Sequence, residues 1–375
     1  MKQLSIMIKP ASSLCNMRCR YCFYADVSSL REVQSFGQMS KETLDNILKH
    51  IFMDLEPGDK LTLAFQGGEP TLVGLEYFQY LTQQVENYAS REIEVHYALQ
   101  TNGLLLDQAW CAFLKKHQFL VGLSLDGPAE FHDANRLDAE RRGTFRRIMN
   151  AKRALEREGT EYNVLMVLTG QMARHPQKIW RFIQEQKINF VQFIPCLGPL
   201  DGEESPYALT PERYAAFYTV LFDLWFYLYQ QGKYISVKLF DDLVHLLAFG
   251  QCNACGLLGQ CQVQMIVEAD GSVYPCDFYV LDEFRAGNLA EEALRSVYQS
   301  PVMQAFVHRP EEEKRLCVQC PYQNICNAGC QRMRHEIFFR PGDNVCGHRL
   351  FLDSSIHRLQ QLAYQQRVEQ QAQWN

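Results

Sequence analysis

Apolar and β-branched runs alternate with amphipathic stretches over the first two hundred residues. Strand-like runs fall at 4–9 (LSIMIK), 61–65 (LTLAF), 93–99 (IEVHYAL), 119–125 (FLVGLSL), 163–169 (NVLMVLT) and 190–194 (FVQFI). Segments with helical period lie between them, such as KETLDNILKHIF (41–52) and TFRRIMNAKRALERE (144–158). Six βα units with largely apolar strands predict an α/β fold, a parallel sheet curved into a partial (β/α)6 barrel. Its functional residues are expected on the loops that follow the C-terminal ends of the strands. The most apolar segment, YAAFYTVLFDLWFYLY (214–229), carries Asp223 and reads as a buried helix. In the C-terminal third, VQMIVEADGSVYP (263–275) alternates around Asp270-Gly271 and reads as a β-hairpin with a tight turn. Residues after about 350 read as a polar, glutamine-rich helix. The expected division is 1–235, 236–350 and a helical tail over 351–375.

The 375 residues are 47% hydrophobic and 12% aromatic, enough for one large or two medium domains with substantial cores. A formal net charge of −6 offers no basic field for nucleic acid or an anionic membrane, and neither is expected as a partner. The N-terminus has no long apolar region with a small-residue cleavage site, and no apolar run is long enough to span a bilayer, so a cytoplasmic location is expected. There the 14 cysteines would stay reduced, which leaves metal ligands, redox groups or buried apolar residues. Three lie at 15–22, Cys111 and Cys196 are isolated, and nine crowd residues 252–346. Clustering favours metal.

CNMRCRYC (15–22) follows the first strand. Cys15, Cys19 and Cys22, spaced C-x3-C-x2-C, supply three thiolates on one loop, which suits three irons of a [4Fe-4S] cube and leaves the fourth open. A structural zinc site, the competing reading, wants four ligands, commonly in C-x2-4-C pairs. QGGEP (66–70) follows the second strand, and its glycines let backbone approach a charged ligand, although a plain strand-to-helix turn would also use them. Further on, Cys255 and Cys261 precede the hairpin and Cys276 follows it. CVQCPYQNICNAGC then places Cys317, Cys320, Cys326 and Cys330, and Cys346 follows a PGDN turn. Eight cysteines divide into two sets of four, and spacing alone does not separate zinc from iron-sulfur.

The C-x3-C-x-aromatic-C loop resembles the signature of the radical S-adenosylmethionine (SAM) superfamily. The resemblance implies that the open iron chelates the amino and carboxylate groups of SAM and that Tyr21 contacts its adenine. QGGEP resembles that family's GGEP element, which would set Gly68 against SAM and Glu69 on its amino group. LSLDG (123–127) ends the fourth strand with Ser124 and Asp126, suited to ribose or sulfonium contacts, or to a simple Ser/Asp turn. By the same likeness Arg136, in HDANRLD, would meet the SAM carboxylate and Leu197 its adenosine, although such an arginine is usually solvated and a leucine usually core. The C-terminal cysteines resemble the SPASM domain, which carries two auxiliary [4Fe-4S] clusters. That pattern implies one cluster on Cys255, Cys261, Cys276 and Cys330 and another on Cys317, Cys320, Cys326 and Cys346, three clusters in all. Four thiolates leave no open iron, so these clusters would carry electrons and stabilise the fold. Cys111 and Cys196 are expected as buried small residues. Cys252 departs from the pattern, as a bystander or an alternate ligand, and CNAGC lacks the family's glycine pair, a change not expected to affect ligation.

Within that group the chain resembles anaerobic sulfatase-maturating enzymes over nearly its whole length, through IKPASSLCNMRCRYCFY, AFQGGEPTL, LQTNG, VGLSLDGP and DGSVYPCDFYVLD. The likeness implies oxidation of a cysteine or serine to Cα-formylglycine by a 5'-deoxyadenosyl radical. The partners it implies are an unfolded sulfatase polypeptide with a C/S-x-P/A-x-R motif and a flavodoxin or ferredoxin electron donor. Asp277 matches the family's proton acceptor, where a bare reading would see an aspartate ending a hairpin. Tyr24 and Gln66 are candidate substrate contacts. One alternative is a modifier that crosslinks a small ribosomal peptide; the short stretch before Cys15 leaves no room for an appended peptide-recognition domain and weighs against it. Another is a non-enzymatic zinc or redox-sensing protein, which leaves QGGEP and the three-cysteine loop unexplained.

Overall fold

The computed structural model describes residues 3–89, 92–202, 204–252, 254–308, 316–340 and 344–374. In chain order its elements are β1 (Gln3–Ile8), α1 (Phe23–Ser29), α2 (Lys41–Asp54), β2 (Lys60–Phe65), α3 (Leu75–Tyr88), β3 (Glu94–Thr101), α4 (Gln108–Lys116) and β4 (Phe119–Ser124). Next come α5 (Ala129–Asn135), α6 (Phe145–Glu158), β5 (Tyr162–Leu168), α7 (Pro176–Glu185), β6 (Phe190–Pro195), α8 (Pro211–Gln230), β7 (Ser236–Val237) and α9 (Lys238–Phe249). The cysteine-rich part adds β8 (Ile266–Val267), β9 (Ser272–Tyr274), β10 (Gly287–Asn288), α10 (Leu294–Tyr298), α11 (Pro301–Val307), α12 (Gln323–Cys326), α13 (Gln331–Met333) and α14 (Gly347–Trp374). The six predicted strands match β1 to β6 to within two residues at each end, and each is followed by at least one helix. Among the described residues no helix is long and apolar enough to cross a membrane.

The chain divides into two compact units. Residues 1–125, 129–163 and 263–309 form the first. Its strands β1 to β4 run parallel, with Ile8 level with Phe65 and Phe65 level with Leu99. Alternate residues of these strands, among them Ile6, Ile8, Leu61, Leu63, Leu99 and Val121, are fully buried, and the positions between them are half-buried or exposed. A side-chain period of two with one face in the core explains that pattern. The predicted hairpin is present: β8 and β9 pair antiparallel, with a turn closed by Gly271 N–H to the Glu268 carbonyl. Its first strand also pairs with β1 in parallel, Ile8 against Val267. The hairpin therefore adds to the sheet that carries CNMRCRYC.

Residues 126–128, 164–262 and 310–375 form the second unit. Here β5, β6 and β7 run parallel and α8 is the buried helix expected from its composition, with Phe217, Leu221 and Phe222 fully enclosed. The terminal helix is more than a polar tail. It begins at Gly347, directly after Cys346, and Phe351, Leu352, Leu359, Leu362 and Ala363 are buried against α8 and α9. Its glutamines fall on exposed positions, Gln360, Gln361 and the turns beyond Tyr364. Cys111 and Cys196 are both buried, as expected.

A candidate radical and proton-transfer site at the strand ends

Ile8, Phe65 and Val267 stand level on neighbouring strands, so Lys9, Gln66 and Glu268 emerge at one edge of the first unit's sheet. The cysteine loop leaves β1 at this edge. Cys15, Cys19 and Cys22 are half-buried, and Cys22 is the N-cap residue of α1. The QGGEP loop is laced to the cysteine loop by backbone bonds, Gly68 N–H to the Ser12 carbonyl at 2.9 Å and Glu69 N–H to the Leu14 carbonyl at 2.8 Å. A Cβ on Gly68 would stand 2.1 Å from the Leu14 carbonyl oxygen, so only glycine permits this approach.

Glu69 is 1% exposed. Its Oε1 accepts from Thr71 N–H at 3.1 Å and from the hydroxyls of Thr71 and Thr101, while Oε2 accepts from Asn102 N–H at 2.7 Å. Burial raises its carboxyl above the usual range, and these donors pull it back. Asn102 is the bridge to the thiols: its amide donates to Asn16 Oδ1 at 2.8 Å and toward Cys15 Sγ at 3.7 Å. Met17 N–H also points at Cys15 Sγ, at 3.3 Å. Burial pushes the Cys15 thiol up to about 11, with the charges of Glu69 and Cys22 adding to it. A buried sulfur already receiving N–H donors fits a thiolate held by iron, since the metal displaces the proton. Ser124 ends β4, nearly buried. Arg136 is buried rather than solvated, its guanidinium 5.7 Å from the centre of the Tyr21 ring. Asp126 belongs to the second unit, where its Oδ1 accepts from Val167 N–H of β5 at 2.9 Å. Leu197 follows β6 in the second unit and is half-buried.

The same edge gathers a second set of groups. Asp277 opens a 3-10 turn directly after Cys276. Its Oδ2 accepts from Tyr24 Oη at 2.7 Å and from Gln66 Nε2 at 3.1 Å, and Gln66 Nε2 also donates to Tyr24 Oη. Lys9 Nζ stands 2.8 Å from Asp277 Oδ1, an ion pair with both side chains nearly enclosed. Burial first, and then the charge of Asp277, drive the Tyr24 phenol well above its ordinary value, which keeps it a donor. Lys9 and Asn102 were not singled out in the sequence. Both lie in stretches that carry the family likeness, Asn102 in LQTNG at the end of β3 and Lys9 in IKPASSLCNMRCRYCFY.

In the second unit Cys317, Cys320, Cys326 and Cys346 line one pocket with Tyr322, His348, Arg349 and Leu352. Burial, followed by the charges of Cys346 and Cys317, pushes the Cys326 thiol up to about 12. Burial, with the charges of Cys317 and Cys320 adding to it, raises the Cys346 thiol as well, and thiols held up in this way suit a cationic cluster that relieves the repulsion. The loop holding Cys255 and Cys261 packs on Cys330, where a Cβ on Gly256 would come 2.7 Å from the Cys330 Cβ. Cys276 lies in the first unit. Cys252 Sγ points at its neighbour's carbonyl, that of Ala254, at 3.8 Å. Where CNAGC lacks the glycine pair, Asn327 and Ala328 adopt φ values of 43° and 68° and hold the turn that glycines would hold. Among the described residues no three His, Cys, Asp or Glu side chains are arranged to hold a single ion. A cube does not require that, because each thiolate takes a different iron.

Comparison with known proteins extends this geometry. Residues 10–183 match the radical SAM superfamily model and residues 249–321 match the SPASM iron-sulfur cluster-binding domain. A cysteine-type anaerobic sulfatase-maturating enzyme of Clostridium novyi is 41% identical, over 98% of this chain and 100% of its own length. One from Clostridium perfringens is 40% identical over 89% of this chain and 90% of its own. The solved structure of anSMEcpe with bound AdoMet and Cp18Cys peptide superposes with a TM-score of 0.89 at 35% identity, covering 97% of this chain and 99% of that one. Three thiols on the loop after β1, four more in one pocket and relatives alike end to end place the chain in the anaerobic sulfatase-maturating family of radical SAM enzymes.

Proposed function

We propose that this chain oxidises a cysteine of a sulfatase polypeptide to Cα-formylglycine, the target presented on an unfolded segment with a C/S-x-P/A-x-R motif. The observation that carries the reading is the Asp277 carboxylate, held by Tyr24 in the first turn of α1, directly after the cysteine triad, and by Gln66, directly before the glycines of QGGEP. Cysteine rather than serine is the proposed target because relatives of about 40% identity over most of the chain are named as the cysteine type.

Cys15, Cys19 and Cys22 would hold the SAM-binding cluster, with Cys255, Cys261, Cys276 and Cys330 and then Cys317, Cys320, Cys326 and Cys346 holding two more. When bound, clusters and SAM supply a 5'-deoxyadenosyl radical that takes a hydrogen atom from the target Cβ, and an outlet for the electron left behind. Tyr21, Gly68, Glu69, Ser124, Arg136 and Leu197 would position SAM, with Glu69 Oε2 retaining acceptor capacity for its amino group beside the Asn102 N–H. Asp277 takes the proton of the target thiol: the S–H bond breaks and an O–H bond forms on the carboxylate. The resulting thiocarbonyl carbon is hydrolysed by water to the aldehyde, and sulfur leaves as hydrogen sulfide. Tyr24 and Gln66 fix the carboxylate and border the substrate. A flavodoxin or ferredoxin is the proposed electron donor and the reducing cytoplasm the proposed setting, since cysteines that ligate iron must stay reduced.

The test is mass spectrometry on anaerobically reconstituted protein incubated with SAM, a reductant and a peptide bearing C-x-P-x-R. Loss of mass at the cysteine, an aldehyde trapped by hydrazine and release of 5'-deoxyadenosine are expected. 5'-Deoxyadenosine without change in the peptide would move the substrate to another polypeptide.

A further inference from the structure

We propose that Lys9 is the positioning residue of the Asp277 carboxylate, an inference that rests on the formylglycine reading above. Lys9 ends the run of β1, and its N–H donates to the Val267 carbonyl at 2.8 Å, so the sheet itself fixes its place beside the hairpin that delivers Asp277. The side chain is 3% exposed, with Nζ 2.8 Å from Asp277 Oδ1 and 4.7 Å from the centre of the Tyr24 ring. The first glycine of QGGEP makes room for it. Gly67 has φ +120°, and a Cβ there would stand 3.0 Å from Lys9 Cγ, 3.0 Å from the Ser12 carbonyl oxygen and 3.2 Å from Lys9 Cβ.

Tyr24 and Gln66 hold only Oδ2, and a carboxylate gripped at one oxygen can still rotate about its Cβ–Cγ bond. The ammonium at Oδ1 fixes the plane. Each carboxylate oxygen carries two acceptor positions, so the ammonium leaves capacity for a substrate proton. When that proton moves from sulfur to Asp277, negative charge passes from carboxylate to sulfur and no electron changes hands. A buried cation at this point offsets the anion before and after the transfer. Removing it would leave an unpaired buried charge, which is far more costly than losing a surface ion pair. A purely architectural role would predict a different outcome, since buried ion pairs are weak contributors to stability and a lysine stem can be replaced by an apolar one.

The experiment compares Lys9→Met, Lys9→Gln, Lys9→Arg and Gly67→Ala with the parent, each as iron-loaded protein with SAM, reductant and the cysteine peptide. 5'-Deoxyadenosine and formylglycine are quantified in one reaction. Lys9→Met is expected to keep its iron and to release 5'-deoxyadenosine, while product per 5'-deoxyadenosine falls about ten- to a hundredfold at unchanged peptide KM. Lys9→Arg should recover part of the loss, and Gly67→Ala, which crowds the lysine stem, should show a weaker form of it. An unchanged ratio in iron-loaded Lys9→Met overturns the proposal. Should Lys9→Met fail to hold iron, an unchanged ratio in iron-loaded Lys9→Gln overturns it instead. Absence of formylglycine from the parent enzyme, with 5'-deoxyadenosine still made, breaks the underlying reading rather than the assignment of Lys9.

Discussion

Tyr24 and Asp277 lie 253 positions apart and share a hydrogen bond of 2.7 Å. Tyr24 is two residues beyond the last thiol of the N-terminal triad, and Asp277 is one residue beyond Cys276. The bond therefore joins the loop proposed to generate the radical to the turn proposed to remove the proton. Phe23 and Phe278, their chain neighbours, pack with ring centres 5.3 Å apart and clamp the same junction with apolar contact. A further buried ion pair, Arg31 to Glu268 at 2.8 Å, ties the loop after α1 to the hairpin turn.

Tyr24→Phe keeps the ring beneath Lys9 and removes one donor from the carboxylate. A hydrogen bond to a charged group contributes about 1.5–3 kcal/mol, so aldehyde turnover should fall by roughly ten- to a hundredfold. Iron content and SAM cleavage should be preserved. Parallel assays of hydrazine-trapped aldehyde and 5'-deoxyadenosine separate the two effects, and equal loss of both would give Tyr24 a role in SAM binding instead.

Asp277→Asn preserves the shape of the turn and abolishes the base. It should retain its clusters and cleave SAM but form little aldehyde, read by mass spectrometry of the peptide. Full product formation in that variant would remove Asp277 from the role of proton acceptor.

Gly68→Ala tests whether the second glycine of QGGEP serves SAM alone or the cysteine loop as well. With its Cβ 2.1 Å from the Leu14 carbonyl, neither backbone can stay where it is. The expected result is loss of iron from the N-terminal triad, seen as fewer irons per chain and no 5'-deoxyadenosine. A variant with full iron and only weakened SAM binding would show that the two loops separate easily.

The strands were legible because each carries its own period of apolar residues, and Ile6, Ile8, Leu61, Leu63 and Leu99 are buried where that period puts them. The thiol loops were legible because iron needs cysteines at short spacing, which survives in a linear sequence. Lys9 was not, since its meaning depends on Asp277, and β8 pairing with β1 brings residues from opposite ends of the chain together. Asp126 allowed a ligand contact or a turn on its motif, and its bond to the Val167 N–H, 41 positions away, was not written in that motif. The last helix misled for a related reason. Its composition averages a buried half and an exposed half, and the average is polar.

That helix yields a prediction with two arms. Phe351 is fully buried, with ring centres 5.8 Å from Tyr218, 6.1 Å from Phe222 and 6.0 Å from Phe240. Phe351→Ala should cost about 3–5 kcal/mol, the range for emptying a packed aromatic site. Because α14 starts one residue after Cys346, the loss should reach the pocket of Cys317, Cys320, Cys326 and Cys346 and lower iron occupancy as well as thermal stability. Deleting residues 365–375 removes turns whose described side chains, through 372, are exposed, and should leave both unchanged. Calorimetry and iron analysis of the two variants decide whether the helix is architecture or appendage. An appendage would leave Phe351→Ala as stable and as iron-rich as the parent, and architecture requires the two variants to part.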